Sequence, residues 1–308
     1  MMLQRITHHK ILSAIVLLCL IGMGWLIVRA MPASETELRR STCYVDGQVC
    51  VCLVSGKDTA VLTCDSVHQQ GVWINRHWWL ASCDGRVLTL SPSSELRAAE
   101  VPALCDSLSS LLNRKETERK ELIYYLRSHG VIDEGYTQIA TYANRQSKMT
   151  DSLKIRLKEL QRICPIDSNS TGKHFKLSKK SRLILKADYC VKWYNTTNKL
   201  KHVTCDPIVT PLTAKVSPLI IHTHRSFKPW GVYAVRNVPW GAAEHRKIVT
   251  VRLVPTEQSA PFHSIIVSGK YWQGHNHDLP RLFATDGAPV FTKHGRFIGI
   301  IHGKEVLQ

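Results

Sequence analysis

Residues 71–83 read GVWINRHWWLASC, a long run dominated by Val, Ile, Leu and Trp. These residue types favour the pleated, half-buried surface of a β-sheet. Shorter runs of the same kind lie on both sides, at residues 60–64 and 86–90, and Gly- or Asp-containing stretches separate them. The turn residues at 54–58 indicate a hairpin. The pattern predicts a Cys-rich β unit over residues 43–91.

The hydrophobic period changes from two to three or four after about Val101. It predicts an amphipathic helix that ends at Gly130 and a second helix, roughly from Asp133 to Cys164, that Pro165 stops. We therefore expect a helical segment over residues 92–172. Two interpretations stay open: an insertion that packs on its own domain, or a stalk that forms a homo-oligomer through residues 101–164.

Short β-type runs return in the C-terminal part, for example at residues 248–254 and 297–301, with Pro or Gly between them. Residues 173–308 therefore form a second predicted β unit. Apolar residues make up 44% of the chain, which excludes a wholly disordered protein. The predicted class is mainly β.

One stretch, residues 11–28, is apolar and long enough to cross a bilayer. Lys10 and Arg29 bound it, and residues 1–10 would form a short N-terminal tail. A secretory signal peptide has a shorter apolar core, so we expect an uncleaved transmembrane signal anchor. A cleaved signal and a buried core helix are the alternatives.

Cysteines and sequons favour a body outside the cytosol, extracellular or lumenal, because disulfides persist in oxidising compartments. Both Asn169-Ser-Thr and Asn195-Thr-Thr fit the acceptor pattern for N-glycosylation. The spacing of the cysteines does not fix their pairing, and Cys50-Val-Cys52 does not fit the usual zinc knuckle. The disulfide candidates are Cys43, Cys50, Cys52, Cys64, Cys83, Cys105, Cys164, Cys190 and Cys205.

The formal net charge is +17, and residues 172–202 contain nine basic residues against one acidic residue, Asp188. Apolar residues interleave this run, which predicts strands with basic flanks rather than a tail. Such a surface attracts an acidic glycan, a lipid headgroup or an acidic protein. Nucleic acid is disfavoured by the expected compartment. The candidate ligand-binding residues are Lys173, Lys176, Lys179, Lys180, Arg182 and Lys186.

Two stretches at opposite ends of the body together resemble chymotrypsin-like serine proteases. Residues 71–83 are similar to the strand pair that leads to Ala-Ala-His-Cys in that family. Residues 284–301 (ATDGAPVFTKHGRFIGII) are similar to the family's Gly-Asp-Ser-Gly-Gly-Pro-Val loop and to the hairpin that follows it. The resemblance implies a double β-barrel, residues 43–91 and 173–308, with residues 92–172 inserted into the first barrel. A disulfide-rich module, a stalk and a separate β domain are the alternative.

The same resemblance implies a degenerate active site. Asp286 stands where the family has its nucleophilic serine, and Ala81-Ser82-Cys83 lacks the catalytic histidine. A carboxylate is a poor nucleophile toward a peptide carbonyl and adds charge where an oxyanion must form. Gly287 and Pro289 match the residues that shape the backbone of this loop in the family. Thr285 lies next to Asp286, but its register would point the hydroxyl away from the position of the nucleophile.

His302 follows the last predicted strand. In proteases that prefer Glu or Gln, a histidine on this strand lines the specificity pocket, and residues 298–302 resemble that pattern with one residue too many. The expected function is therefore a membrane-anchored pseudoprotease that binds without cleaving, with no cofactor and no metal. The alternatives are an active viral or cellular endopeptidase with an unusual nucleophile, and a type II glycoprotein with a helical stalk.

Overall fold

A computed structural model describes residues 33–75, 85–167, 174–175, 177, 180–196, 199–225, 227–236, 247–254, 263–272 and 276–308, with the single positions Leu17, Cys19 and Gly22. Within this described part, no helix is long and apolar enough to cross a membrane. The predicted anchor, residues 11–28, lies outside the described residues except at those three positions. The prediction of an anchor therefore stays a prediction.

The first sheet begins after a short helix, α1 (Glu35–Ser41), which Ser34 caps with its hydroxyl and Glu37 with its carboxylate. Its strands are β1 (Thr42–Ser55), β2 (Asp58–Asn75), β3 (Arg86–Leu90), β6 (Arg182–Tyr194), β7 (Leu200–Thr204), β8 (Ile208–Pro211), β9 (Pro218–His222) and β10 (Val235–Arg236). They run in the order β7-β6-β1-β2-β3-β9; β8 pairs with β6, and β10 pairs with β2 in parallel.

The two edges of the first sheet approach each other. Cys205, beyond β7, forms an antiparallel bridge with Thr223, beyond β9. The Asp206 N–H donates to the His222 carbonyl over 2.9 Å, and the His224 N–H donates to the Thr204 carbonyl over 3.0 Å. Buried residues from all six strands of the main order pack into one cluster, with Trp73 edge-on to Trp193 at 5.8 Å. The sheet is strongly curled around that core.

The second sheet contains β11 (Lys247–Val254), β12 (His263–Lys270), β13 (Pro289–Thr292), β14 (Phe297–His302) and β15 (Glu305–Leu307). It is antiparallel, in the order β12-β11-β13-β14-β15. A short segment joins its edges, since His277 bridges to Tyr271 and Asn276 bridges to Glu305.

The predicted double barrel is correct only at a coarser level. The described residues form two antiparallel sheets, and neither is closed by continuous hydrogen bonding, because the edges of each meet only at isolated bridges. The prediction of a mainly β protein is confirmed.

The two predicted helices are confirmed as α2 (Val101–Ser128) and α3 (Tyr136–Ile163), which pack together as a hairpin. A 3-10 turn (Ala98–Glu100) leads into α2, and the small strands β4 (Ile166–Asp167) and β5 (His174–Phe175) follow α3. Leu160 and Ile163 near the end of α3 are buried in the core of the first sheet. The base of the hairpin therefore packs as part of the first sheet's core, and this sheet with its core is the first domain.

A second core joins the sheets. It contains Leu38 from α1, Val72 from the first sheet, and Val251, Phe291 and Ile300 from the second sheet, all at most 5% exposed. Burial of these side chains fixes the second sheet against β2 and β3. This contact places the loop before β13 directly beside β2.

Candidate functional site

The loop of residues 284–288, which the protease resemblance singles out, lies between the two sheets. The Gln70 N–H of β2 donates to the Asp286 carbonyl over 3.0 Å, and the Gly287 N–H donates to the Ile301 carbonyl over 2.8 Å. Gly287 has φ 77°, in the left-handed region that glycine adopts at little cost. A Cβ atom there would overlap the Gln70 carbonyl oxygen. Backbone hydrogen bonds to both sheets therefore hold the loop in place.

Gln70 is the polar centre of this junction and is only 3% exposed. Its Nε2 donates to the Thr285 hydroxyl, and its Oε1 accepts from the Leu253 N–H over 3.1 Å. The Thr89 hydroxyl donates to the Gln70 carbonyl over 2.9 Å. Sequence analysis missed Gln70, because nothing in residues 69–71 shows that this strand position is buried against a second sheet.

Asp286, the predicted degenerate nucleophile position, presents its carboxylate at the surface with 54% of the side chain exposed. Its Oδ1 accepts from the Gly303 N–H over 3.0 Å and lies 3.5 Å from Nδ1 of His302. The structure therefore brings Asp286 and His302 together, at an ion-pair distance rather than a hydrogen-bond distance. A carboxylate held in this way can accept hydrogen bonds or attract a cationic group.

The remaining loop residues have structural contacts. The Thr285 hydroxyl is half-buried and engaged by Gln70, so it is not paired with a histidine base. Pro289 is buried and begins β13. A serine-protease triad needs a nucleophile beside a histidine that a carboxylate orients. Among the described residues of this loop, that arrangement does not occur.

Of the two histidines near the other predicted catalytic stretch, the structure describes His68 alone. His68 lies on the outer face of the first sheet, where its Nδ1 is 2.9 Å from Asp46. His77 and Cys83 lie outside the described residues, so the predicted loss of the catalytic histidine near Cys83 stays a prediction.

Arg182 and Lys186 are exposed on the outer face of β6, while Leu185, Ala187 and Tyr189 of the same strand point into the core. Lys186 pairs in register with Cys50, beside the Cys50–Cys64 disulfide. Lys180 is exposed in the turn before the strand, whereas Lys173, Lys176 and Lys179 lie outside the described residues. The prediction that the basic run contains strand structure is confirmed.

This face of β1 and β6 also contains two acidic residues, Asp188, which is exposed two positions after Lys186, and Asp46. The Asp46 carboxylate contacts Lys192 Nζ at 2.6 Å and the His68 ring at 2.9 Å. Burial alone would raise the pKa of Asp46, but the hydrogen bonds from Lys192 and His68 outweigh it and lower the pKa below its usual value. Lys192 is thereby neutralised, which leaves Arg182 and Lys186 as the exposed cations of the strand.

Within residues 33–308, the described cysteines comprise one bonded pair and six free thiols. Cys50 and Cys64 are bonded across the β1–β2 hairpin, which confirms one disulfide. Buried thiols are present at Cys43, Cys52, Cys105, Cys164 and Cys205, and Cys190 is half-buried. Burial, together with the nearby Cys205, raises the pKa of Cys43 well above its usual value. Cys83 lies outside the described residues.

Asn195 of the second sequon follows β6 at the turn into β7. Its Oδ1 accepts from the Lys199 N–H over 2.8 Å, and the side chain is half-buried. A surface turn is a suitable place for an N-linked glycan. Asn169 lies outside the described residues, and glycosylation at both sites stays a prediction.

No group of three His, Cys, Asp or Glu side chains with the geometry of a metal site occurs within the described ranges. His277 is buried, and its Nδ1 accepts from the Leu279 N–H over 3.2 Å. Burial lowers the pKa of His277, an effect that Asp278 only partly offsets. This histidine is therefore a neutral packing residue at pH 7.

Comparison with known proteins leaves the class of this chain open. No protein family, no curated protein and no solved structure matches it. Function must therefore be argued from the residues of the 284–288 loop and of β6.

Proposed function

We propose that this protein is a membrane-anchored, extracytosolic pseudoprotease: a degenerate chymotrypsin-like double barrel with a helical insertion, which binds an acidic partner and does not cleave peptides. The observation that carries the proposal is the environment of Asp286. This residue occupies the nucleophile position of a loop whose Gly287 and Pro289 keep their structural contacts.

The arrangement of the two sheets supports the fold part of the proposal. Each sheet is antiparallel, each has edges that approach at isolated bridges, and the 284–288 loop lies at their junction. A double barrel would likewise place a loop between two curled sheets, although here the edges of each sheet meet only at isolated bridges.

The chemistry at Asp286 supports the absence of catalysis. Acyl transfer requires a nucleophile activated by a base, and donors that stabilise the developing oxyanion. The Asp286 carboxylate already accepts the Gly303 N–H, and a negative charge at this point repels an oxyanion. The loop therefore presents a fixed acceptor in place of an activated hydroxyl.

Peptide cleavage decides between the pseudoprotease and an endopeptidase with an unusual nucleophile. Wild type and Asp286→Ala are incubated with a peptide library, and products are read by mass spectrometry. We expect no cleavage by either protein. Cleavage by wild type that Asp286→Ala abolishes would establish the endopeptidase; cleavage retained in Asp286→Ala would also contradict the pseudoprotease and remove Asp286 from its mechanism.

The exposed cations of β6 support an acidic partner. Arg182 and Lys186 are four residues apart on one face, hence separated by about 13 Å at the usual rise of a strand. Two exposed cations on one face attract acidic groups such as those of a sulfated glycan, of lipid headgroups or of an acidic protein surface. The basic residues 173–179 precede this strand in the sequence.

A heparin column tests the charged surface. Wild type should elute well above physiological salt, and Arg182→Glu with Lys186→Glu should elute at distinctly lower salt. Lys293→Glu with Arg296→Glu is the matched control, because both residues are exposed on the β13–β14 turn and the charge change is the same. Elution of wild type at physiological salt, or equal shifts in the two double variants, would remove the β6 surface from the proposal.

A further inference from the structure

The base of the helical hairpin places two cysteines side by side. Cys105 lies near the start of α2, and Cys164 directly follows α3, so the antiparallel packing of the two helices brings both to the same end of the hairpin. Both side chains are 0% exposed and belong to one buried cluster, together with Leu160 and Ile163. Each of the two thiols also affects the pKa of the other.

We propose that Cys105 and Cys164 form a second disulfide bond, which closes the base of the helical hairpin. Neighbouring thiols form the bond when their sulfur atoms approach to about 2.0 Å. The same protein already carries the Cys50–Cys64 disulfide.

The other thiols do not define a pair in the same way. Cys205 is a neighbour of both Cys43 and Cys190, so no single bond among these three is favoured. Cys52 contacts the Cys50 carbonyl, and Lys186 is the charged group that acts on it. Cys105 and Cys164, by contrast, are each affected by the other and form a single defined pair.

The bond forms by thiol–disulfide exchange with a small-molecule disulfide such as oxidised glutathione. One cysteine thiolate attacks the glutathione disulfide and releases one glutathione thiolate. The second cysteine thiolate then attacks the mixed disulfide and releases the other. The two protons lost by the cysteines pass to the two released thiolates, and one small-molecule disulfide is reduced for each protein disulfide formed.

Burial determines when this reaction takes place. It raises the pKa of Cys105 to about 12 and also raises the pKa of Cys164, so thiolate is scarce once the base has packed. The bond therefore forms during folding and is afterwards shielded from reductants. The Cys50–Cys64 bond differs, because Cys64 is exposed on the outer face of the first sheet.

Peptide mapping tests the pairing without any variant. The reduced, unfolded full-length chain is refolded in a glutathione redox buffer with mild detergent, the remaining thiols are alkylated, and the protein is digested with trypsin. We expect peptides 98–114 and 163–173 to be linked, with a mass two hydrogens below the sum of the free peptides. Alkylation of Cys105 and Cys164, or a link from either to another cysteine, overturns the proposal.

Reduction of the refolded protein provides an independent measurement. With a water-soluble reductant under native conditions, the Cys50–Cys64 bond should open first, and the Cys105–Cys164 bond should survive about tenfold longer. The variants Cys105→Ala and Cys164→Ala should each lower the melting temperature by about 5 °C. Cys52→Ala, a buried thiol outside the pair, is the control; equal shifts in all three variants would contradict a bond that stabilises the hairpin.

Discussion

Gly287 and Gln70 are packed so closely that no side chain fits between them. The glycine has φ 77°, and the direction of its missing Cβ is occupied by the Gln70 carbonyl oxygen. The contact links the loop before β13 to β2 in the middle of the first sheet. Its two members come from opposite ends of the body and together fix how the sheets meet.

Substitution of Gly287 by Ala should therefore be strongly destabilising. The left-handed conformation costs a non-glycine residue about 1–2 kcal/mol, and the overlap with Gln70 should raise the total to about 3 kcal/mol or more. Gly56→Ala is the matched control, since Gly56 has φ 63° with open space around it. Denaturant unfolding measures both; equal losses in the two variants would show that the Gln70 contact yields under substitution.

The variant Gln70→Ala should lower the free energy of unfolding by about 2 kcal/mol. The substitution leaves the Leu253 N–H without its acceptor in a buried position, and such an unpaired group costs about 1–3 kcal/mol. The neighbouring Gln69→Ala removes one bond, from Nε2 to the Leu90 carbonyl, at a half-exposed site. Urea midpoints should thus fall clearly more for Gln70→Ala, and the reverse order would refute its role at the junction.

Truncation of Leu160 tests whether the helical hairpin is part of the first domain. Leu160 is 1% exposed in the core of the first sheet, so Leu160→Ala should cost about 3 kcal/mol. Ile155→Ala on the same helix should cost less than about 1 kcal/mol, because Ile155 is 61% exposed. Tryptophan fluorescence follows the sheet through Trp73 and Trp193. Unfolding of the helices alone, with the sheet unchanged, would favour an independent stalk.

His277 should make stability fall as the pH drops below about 6.5. Its folded pKa is lowered by burial, while the unfolded value is about 6.5. The unfolded chain thus takes up a proton first as the pH falls, and the stability present above pH 6.5 is lost toward the folded pKa. His277→Gln should flatten this part of the curve. His294→Gln, at an exposed turn, serves as the control; unchanged slopes in both variants would contradict the assignment.

Local patterns predicted the helical hairpin well. Hydrophobic spacing gave both helices, and Gly130 and Pro165 bounded them to within a few residues of Ser128 and Ile163. These signals work because helix ends are set by nearby residues. The basic residues of β6 were also placed on a strand, since alternation of polar and apolar residues is a local property.

Contacts between distant segments could not be predicted in the same way. A regular β1–β2 hairpin would place Cys50 opposite Thr63, but a bulge between Val51 and Cys52 moves its partner to Cys64. Spacing alone does not reveal a bulge. Gln70 was missed for a related reason: the need for a buried polar side chain arises only when Leu253 and Thr285 arrive from the second sheet.

The order of strands in the first sheet also determines the order in which it can assemble. β1 pairs with β2 on one side and with β6 on the other, yet the whole helical hairpin separates β3 from β6 in the chain. During synthesis one edge of β1 stays unpaired until β6, which ends at Tyr194, has left the ribosome. Such distant pairing slows folding, and an unpaired strand edge can pair with other chains and aggregate. The helical hairpin lowers the entropy cost of that distant pairing once the chain has emerged, because it forms from local contacts and returns the chain to the sheet.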